Sequence, residues 1–143
     1  MIAVDTNILV HAHRVDSPWH QAAVTRLPEL AQGPWAIPWP CIHEFVAIVT
    51  HPKVFAPPTP LDDALKAVAG WLASPTLHLL SELEGYWETL HEVLSKSRVV
   101  GPRVHDARIA ALCLQHGIDE LWTADRDFSR FPGVVAHNPL LAR

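Results

Sequence analysis

Short apolar segments alternate with longer amphipathic ones along the chain, which is the pattern of strands separated by helices. Ile2–Val4 is an apolar run that stops at an acid, as expected of a buried strand. Residues 35–37, 76–80, 120–123 and 134–136 are further runs of this kind. Because strands that alternate with helices favour a parallel sheet with helices on both faces, we predict an α/β fold.

Capping residues and prolines predict where the helices begin and end. Ser17 followed by Pro18 is typical of an N-cap and a first helical position, and Gly33 is a stop signal. Thr59 followed by Pro60 repeats the start signal after a proline-rich loop. The predicted helices are residues 17 to about 32, the segment after Pro40 through Thr50, the segment that starts at Pro60, residues 86–96, and residues 104–117 with Gly117 as the C-cap glycine.

The helix that starts at Pro60 carries apolar residues at helical spacing. They form one predicted face and are Leu61, Leu65, Val68, Ala69 and Leu72. Two tryptophans near helix starts, Trp19 and Trp39, could stack on bases or on a partner helix, but core packing is the simpler expectation for both.

Composition narrows the class of protein. The chain has 143 residues, of which 49% are hydrophobic and 18% charged, and this favours one globular domain over residues 1–143. No apolar run approaches the roughly 18 residues of a membrane span, and no basic region precedes the first apolar run as in a secretory signal, so we expect a cytoplasmic protein outside the membrane. Cys41 and Cys113 form no CxxC motif and fit a reducing compartment. A net charge of −4 without a Lys/Arg run argues against coating nucleic acid by bulk charge.

Acidic residues recur near the ends of the predicted elements. Asp5 ends the first strand, Asp125 follows the fourth, Asp106 lies in a first helical turn, and Glu44 lies early in another helix. Ligands of open parallel sheets bind beyond the carboxyl ends of the strands, so these four segments can bring carboxylates to one edge. Such oxygen ligands suit Mg²⁺ or Mn²⁺, which can activate water against a phosphodiester.

Ordinary structural roles explain most of these acids equally well when each is taken singly. Asp106 could serve only the helix dipole, Asp125 and Asp127 could be turn residues, and Glu44 could be a solvated helix residue. Asp5 is the hardest to explain in this way, because it directly follows a strand that should be buried on both faces. Spacing alone therefore leaves the metal site and the structural roles about equally supported.

Several other catalytic motifs are excluded. His43-Glu44 would need a second histidine four residues after His43 for a zinc HExxH site, and that residue is Ala47. No Gly-rich nucleotide-binding loop follows the first strand, and the chain has no G-x-S-x-G elbow. Asn7 stands where a haloacid-dehalogenase-like phosphatase carries its second aspartate, so an aspartyl-phosphate mechanism would lack its general acid.

Four motifs in chain order resemble the PIN-domain family. Asp5-Thr6-Asn7 follows an apolar strand, Glu44 lies in a mid-chain helix, Asp106 opens another helix, and Thr-Ala-Asp-Arg-Asp-Phe occupies residues 123–128. The set covers essentially the whole chain and is most similar to the VapC toxins of bacterial type II toxin–antitoxin modules. The resemblance implies a three-layer α/β/α fold with a parallel sheet of about five strands. It also implies an Mg²⁺- or Mn²⁺-dependent endoribonuclease, with tRNA or rRNA as the expected substrate.

The resemblance further implies residue roles and partners. The acids that match the catalytic, metal-binding quartet are Asp5, Glu44, Asp106 and Asp125. Asn7 and Thr123 match polar residues that orient these carboxylates, while Asp127 would either help bind a second metal ion or brace its loop. Members of the family are commonly homodimers that a VapB-type antitoxin neutralises.

Four arginines near the last two acids are candidates to hold the RNA backbone, because a guanidinium group binds phosphate bidentately. They are Arg103, Arg108, Arg126 and Arg130. A role as ordinary solvated residues is equally supported for each. The alternative function for the whole chain is a catalytically inactive PIN-fold module that clasps a basic partner segment in its acidic groove.

Overall fold

A computed structural model describes residues 1–141, and within them the elements alternate as the sequence predicts. The strands are β1 (Ile2–Val4), β2 (Trp35–Pro38), β3 (Leu77–Leu80), β4 (Glu120–Trp122) and β5 (Ala136–His137). The α-helices are α1 (Thr6–His13), α2 (His20–Leu30), α3 (Trp39–Val49), α4 (Leu61–Leu72), α5 (Tyr86–Ser97) and α6 (Val104–Gln115). Short 3₁₀ turns cover Gly101–Arg103 and Arg126–Arg130. Among these helices none is long and apolar enough to cross a membrane.

The five strands form one parallel sheet in the order β3-β2-β1-β4-β5. The chain moves outward from β1 to β2 and β3, and then crosses to the other side of β1 to add β4 and β5. Right-handed crossovers place α1–α4 on one face and α5 with α6 on the other, which confirms the predicted three-layer α/β/α fold. The strand order therefore reverses between β1 and β4, and the crevice at their carboxyl ends is the expected ligand site.

The core lies on both faces of the central strands. Val4 and Leu121 on adjacent strands are fully buried, and Phe45 and Leu112 reach them from helices in the two outer layers. Gly117 adopts φ +64° directly after the C-cap of α6, and the next amide, that of Ile118, donates 2.9 Å to the carbonyl of Cys113. This is a Schellman motif, so the predicted role of Gly117 at the end of α6 is confirmed.

Several predicted boundaries are wrong because side chains have other partners. Helix α1 was not predicted, and it forms because the carboxylate of Asp5 caps it directly after β1. Helix α2 starts at His20, since Ser17 instead accepts the Trp19 amide within a turn. Thr59 does not cap α4, because its buried hydroxyl bonds to His13 and Arg14. Strand β5 pairs two residues later than predicted.

The apolar face predicted for α4 is also only partly buried. Ala64 and Val68 pack into the core, whereas Leu61, Leu65 and Leu72 are half-exposed. The helix is rotated so that its smaller residues approach the neighbouring layer. The expectation that Trp19 and Trp39 pack in the core is wrong as well, because their side chains are exposed.

Candidate active site

Asp5 lies at the point where the strand order reverses. It is held there from both sides, because its amide donates 2.9 Å to the carbonyl of Trp122 on β4 and its carboxylate Oδ1 accepts the Thr6 amide at 2.8 Å. The residue is only 5% exposed. A carboxylate placed at a buried strand end in this way is fixed in position before any ligand arrives.

Thr123 and Asn7 fix the other oxygen of Asp5. The Thr123 hydroxyl donates to Asp5 Oδ2 at 2.7 Å, and the Asn7 amide group donates to the same oxygen at 3.2 Å. Asn7 also donates to Thr123 Oγ1 at 3.1 Å, and its own oxygen accepts the Ala124 amide at 2.9 Å. The hydroxyl of Thr123 further accepts the Asp125 amide at 3.0 Å. This network connects β1, α1 and the loop after β4, as the orienting roles predicted for the two residues require.

The four predicted acids line one cavity of about 250 Å³ at the carboxyl edge of the sheet. Asp5 follows β1, Glu44 lies on α3, Asp106 lies in the first turn of α6, and Asp125 follows β4 and caps the 3₁₀ turn behind it. Asp5 is buried, Asp106 and Asp125 are partly buried, and Glu44 is exposed. The fold therefore brings together four carboxylates that are up to 120 residues apart in sequence.

Burial and mutual repulsion perturb the acids. Burial raises the pKa of Asp5 to about 6, with smaller contributions from the charges of Glu44 and Asp106, although the hydrogen bonds from Thr123 and Thr6 oppose the shift. Burial also raises the pKa of Asp106, and the neighbouring charge of Asp125 adds to the effect. Because these carboxylates repel one another, a cation bound among them would stabilise their ionised forms.

The positively charged side chain of Arg103 lies beside the acids of the cavity. Its guanidinium pairs with Asp106 at 3.4 Å and also with Asp127, so it bridges two acids from different segments. The same charge lowers the pKa of Asp106, against the effect of burial. Asp127 is thus engaged by Arg103 in this structure, and the contact of Arg103 with the RNA backbone stays a prediction.

The other predicted arginines have looser surroundings. Arg108 makes only a long contact of 3.9 Å with Glu82 and lines a cavity next to Asp106. Arg126 is exposed and lines a cavity next to Asp125. Arg130 is exposed at the end of its 3₁₀ turn. Arg108 and Arg126 therefore line two different cavities, each of which shares an acid with the acidic cavity.

The donor set of the cavity fits a hard divalent cation. The four carboxylates offer oxygen ligands, which Mg²⁺ and Mn²⁺ prefer, and no cysteine lines the cavity. Within residues 1–141, no three acidic, His or Cys side chains converge closely enough to bind one ion as they stand. Direct binding of one ion by three of these carboxylates would therefore need side-chain rotation, which the exposed Glu44 can make at little cost.

Three residues near the site were not assigned by sequence reasoning. Thr6 supplies the amide that binds Asp5, and His11 lines the acidic cavity. Cys41, which no sequence motif relates to the site, lies with its thiol 3.7 Å from Asp5 Oδ1, and burial, followed by the charge of Asp5, raises its pKa. Thr6 could be assigned to the site from the sequence because it directly follows Asp5, whereas nothing in the sequence relates Cys41 to Asp5.

Comparisons with known proteins agree with this geometry. The PIN domain family matches residues 2–134. Ribonuclease VapC43 of Mycobacterium tuberculosis is 34% identical over 142 residues, which cover 98% of this chain and 96% of that protein. Ribonuclease VapC48 of the same organism is 31% identical over 137 residues, which cover 94% of each chain.

Solved structures share the fold at lower identity. The VapBC2 structure from Rickettsia felis, bound to promoter DNA, has a TM-score of 0.73 at 19% identity and covers 96% of this chain and 98% of that one. VapC20 of Mycobacterium tuberculosis, a toxin that cleaves the sarcin–ricin loop, has a TM-score of 0.71 at 20% identity, with 94% and 97% covered. Since the family match spans nearly the whole chain and relatives about one-third identical align along almost all of it, the chain belongs to the PIN-domain family, within its VapC group.

Proposed function

We propose that this protein is a metal-dependent endoribonuclease and the toxin of a VapBC-type toxin–antitoxin pair. The observation that carries the proposal is the convergence of Asp5, Glu44, Asp106 and Asp125 on one cavity at the point of strand-order reversal. The similarity of the whole chain to VapC ribonucleases supports RNA as the substrate. Ribosomal or transfer RNA is the proposed substrate class.

The four acids would hold Mg²⁺ or Mn²⁺. A bound divalent ion supplies Lewis-acid polarisation of a phosphate oxygen and lowers the pKa of a coordinated water. Thr123 and Asn7 hold Asp5 Oδ2 in one orientation and favour the ionised carboxylate, which is the form that a cation needs. The Asp125 side chain accepts the Asp127 amide at 2.8 Å, and this bond within the loop after β4 holds the loop conformation.

The proposed partner is a VapB-type antitoxin with a basic segment. The similar structures from Rickettsia felis and from Salmonella typhimurium contain VapBC pairs. Here the acidic cavity and the net charge of −4 favour a basic segment by electrostatic attraction. The homodimer and the cytoplasmic location remain predictions.

The test is cleavage of total bacterial RNA by purified protein freed of any antitoxin. Discrete products should form with Mg²⁺ or Mn²⁺ and should be absent with EDTA. Asp5→Asn should lower the cleavage rate at least about 100-fold, because it removes a charge from the metal site. Asp62→Asn, which changes an exposed acid on α4, is the matched control and should cleave normally.

The inactive binding module predicts a different outcome. It would bind a divalent ion and a basic peptide but would leave every RNA intact under all conditions. Circular dichroism of the Asp5→Asn protein must match that of the wild type for the comparison to count. A folded Asp5→Asn variant with full activity would exclude the proposed site.

A further inference from the structure

Two cavities flank the acidic cavity and share walls with it. The first, here called the α3–α6 pocket, has a volume of about 470 Å³ and shares Glu44 and Asp106 with the acidic cavity. The second, here called the β4–β5 pocket, has a volume of about 260 Å³ and shares Asp125 with it. Because each flanking cavity shares acids with the acidic cavity, the three lie next to one another.

The α3–α6 pocket has the surfaces that bind a nucleobase. Its apolar walls include Pro40 and Ala47, and the exposed imidazoles of His43 and His105 enter it from the two helices. Flat rings and apolar walls offer stacking surfaces, and the imidazole nitrogens can hydrogen-bond to base edges. The ring of Trp39 lies 6.3 Å from that of His43 at an angle of 32°, so a second ring lies beside the histidine.

Arg108 completes the α3–α6 pocket with a cationic group. Its side chain is 40% exposed, and its contact with Glu82 is long, at 3.9 Å. An exposed ion pair of this length contributes little stability, so the guanidinium can exchange Glu82 for a phosphate at little cost. The pocket thus combines base-binding surfaces with one phosphate-binding group.

The β4–β5 pocket has a different character. Its polar lining includes Arg126, Ser129, His137 and Asn138, beside the small apolar side chains of Ala124 and Ala136. Groups of this kind bind phosphate and sugar, and they position a strand without reading its sequence. The α3–α6 pocket is nearly twice as large and has two imidazoles rather than one, so sequence preference should come from the α3–α6 side.

We infer that one strand of RNA lies across the three cavities, with the reacting phosphate at the acids and the base of an adjoining nucleotide bound in the α3–α6 pocket. His43 and His105 contact this base, and hydrogen bonds from their ring nitrogens to its edge determine which base is accepted beside the cleavage site. The inference rests on the proposed ribonuclease function and adds the residues that select its substrate. Because a base must leave its stack to enter the pocket, the substrate is single-stranded at the cleavage site.

The test compares His43→Ala and His105→Ala with the wild type. The substrate is a pool of single-stranded oligoribonucleotides built around a site mapped in total RNA, with the nucleotides on both sides of the cut randomised. Sequencing of the products gives base preference, and single substrates give KM and kcat. Each variant should raise KM about tenfold, change kcat less than about threefold, and flatten the preference at one position only.

His78→Ala is the matched control, since His78 is an exposed histidine on the edge strand β3. It should leave KM and base preference unchanged. Variants at His43 and His105 that keep the wild-type KM and preference would overturn the inference. A fall in kcat alone would also overturn it, because the imidazoles would then act on the chemical step. If His105→Ala misfolds, His105→Gln keeps a polar side chain without the aromatic ring.

A binding measurement separates failure of this inference from failure of the proposed function. In EDTA, the affinity of the wild type for a fluorescein-labelled single-stranded oligoribonucleotide should fall about tenfold in His43→Ala. If the wild type cleaves no RNA but shows this loss, the ribonuclease proposal fails and the pocket stands. If the wild type binds no oligoribonucleotide, the pocket inference fails as well.

Discussion

The buried carboxyl group of Asp5 makes the stability of the metal-free protein depend on pH. Its pKa is about 6 in the folded protein, compared with an ordinary value of 3.8. Between these values the folded state holds a proton that the unfolded state has lost. The free energy of unfolding therefore falls as pH rises through this window, which is the opposite of the usual behaviour of a salt-bridged acid.

The size of the effect follows from the shift. About two pKa units correspond to about 3 kcal/mol over the full range, of which about 2 kcal/mol is lost between pH 4.5 and 7.5. Solvent screening reduces this little, because Asp5 is only 5% exposed. The protein thus gives up stability at neutral pH to keep an ionised carboxylate at the site.

Urea denaturation in EDTA at pH 4.5 and 7.5 measures this cost. Asp5→Asn does not titrate in this range, so its free energy of unfolding should fall by about 2 kcal/mol less than that of the wild type. The double difference removes the contributions of titrating groups that do not interact with Asp5. Asp62→Asn, an exposed acid on α4, should parallel the wild type.

Equal changes in the wild type and in Asp5→Asn would refute the reasoning. They would mean that the hydrogen bonds from Thr123 and Thr6 outweigh burial and keep Asp5 ionised at pH 4.5. The unfolding slopes of the variants must agree, so that the difference reflects stability rather than a change in the unfolded state.

Two further sets of variants test the role of Arg103 and the backbone conformation at Gly117. Arg103→Ala removes the cation that pairs with Asp106 and Asp127, so its affinity for Mn²⁺, measured by calorimetric titration with MnCl₂, should rise roughly tenfold. Arg130→Ala is the control and should bind Mn²⁺ like the wild type. Weaker Mn²⁺ binding by Arg103→Ala would contradict this reasoning. Gly117→Ala places a side chain at φ +64° and should lower the free energy of unfolding by about 1 kcal/mol, whereas Gly70→Ala inside α4 should raise it by a similar amount. Thermal unfolding measures both changes. Changes of the same sign in the two variants would contradict the argument from backbone conformation.

Local sequence signals identified most of the elements correctly. The apolar runs at Ile2–Val4 and near Trp35 are strands, and Gly117 follows the end of α6, because strand burial and the left-handed C-cap depend on residues close in sequence. Helix α1 was missed because it has only eight residues and depends on the Asp5 side chain that caps it. Helices this short have little intrinsic stability and form mainly through packing.

The candidate site was likewise predictable from the sequence in part only. The positions of Asp5 and Asp125 after strands were sufficient to predict that their carboxylates share one edge, since parallel strands end on the same side. The partners of those acids were not predictable. Arg103 was one of four candidates to hold the RNA backbone, and its pairing with Asp127, which lies 24 residues further along the chain, had no signal in the sequence.

The sequence by itself determined the alternation of strands and helices, the acids at the strand ends, and the family to which they point. These features are set by side-chain periodicity and by residue types within a few positions of one another. Tertiary structure alone decided that α4 exposes Leu61 and Leu65, that β5 begins at Ala136, and that Cys41 contacts Asp5. Each of these depends on how distant elements rotate and pair, because burial is a property of the assembled layers and not of the segment.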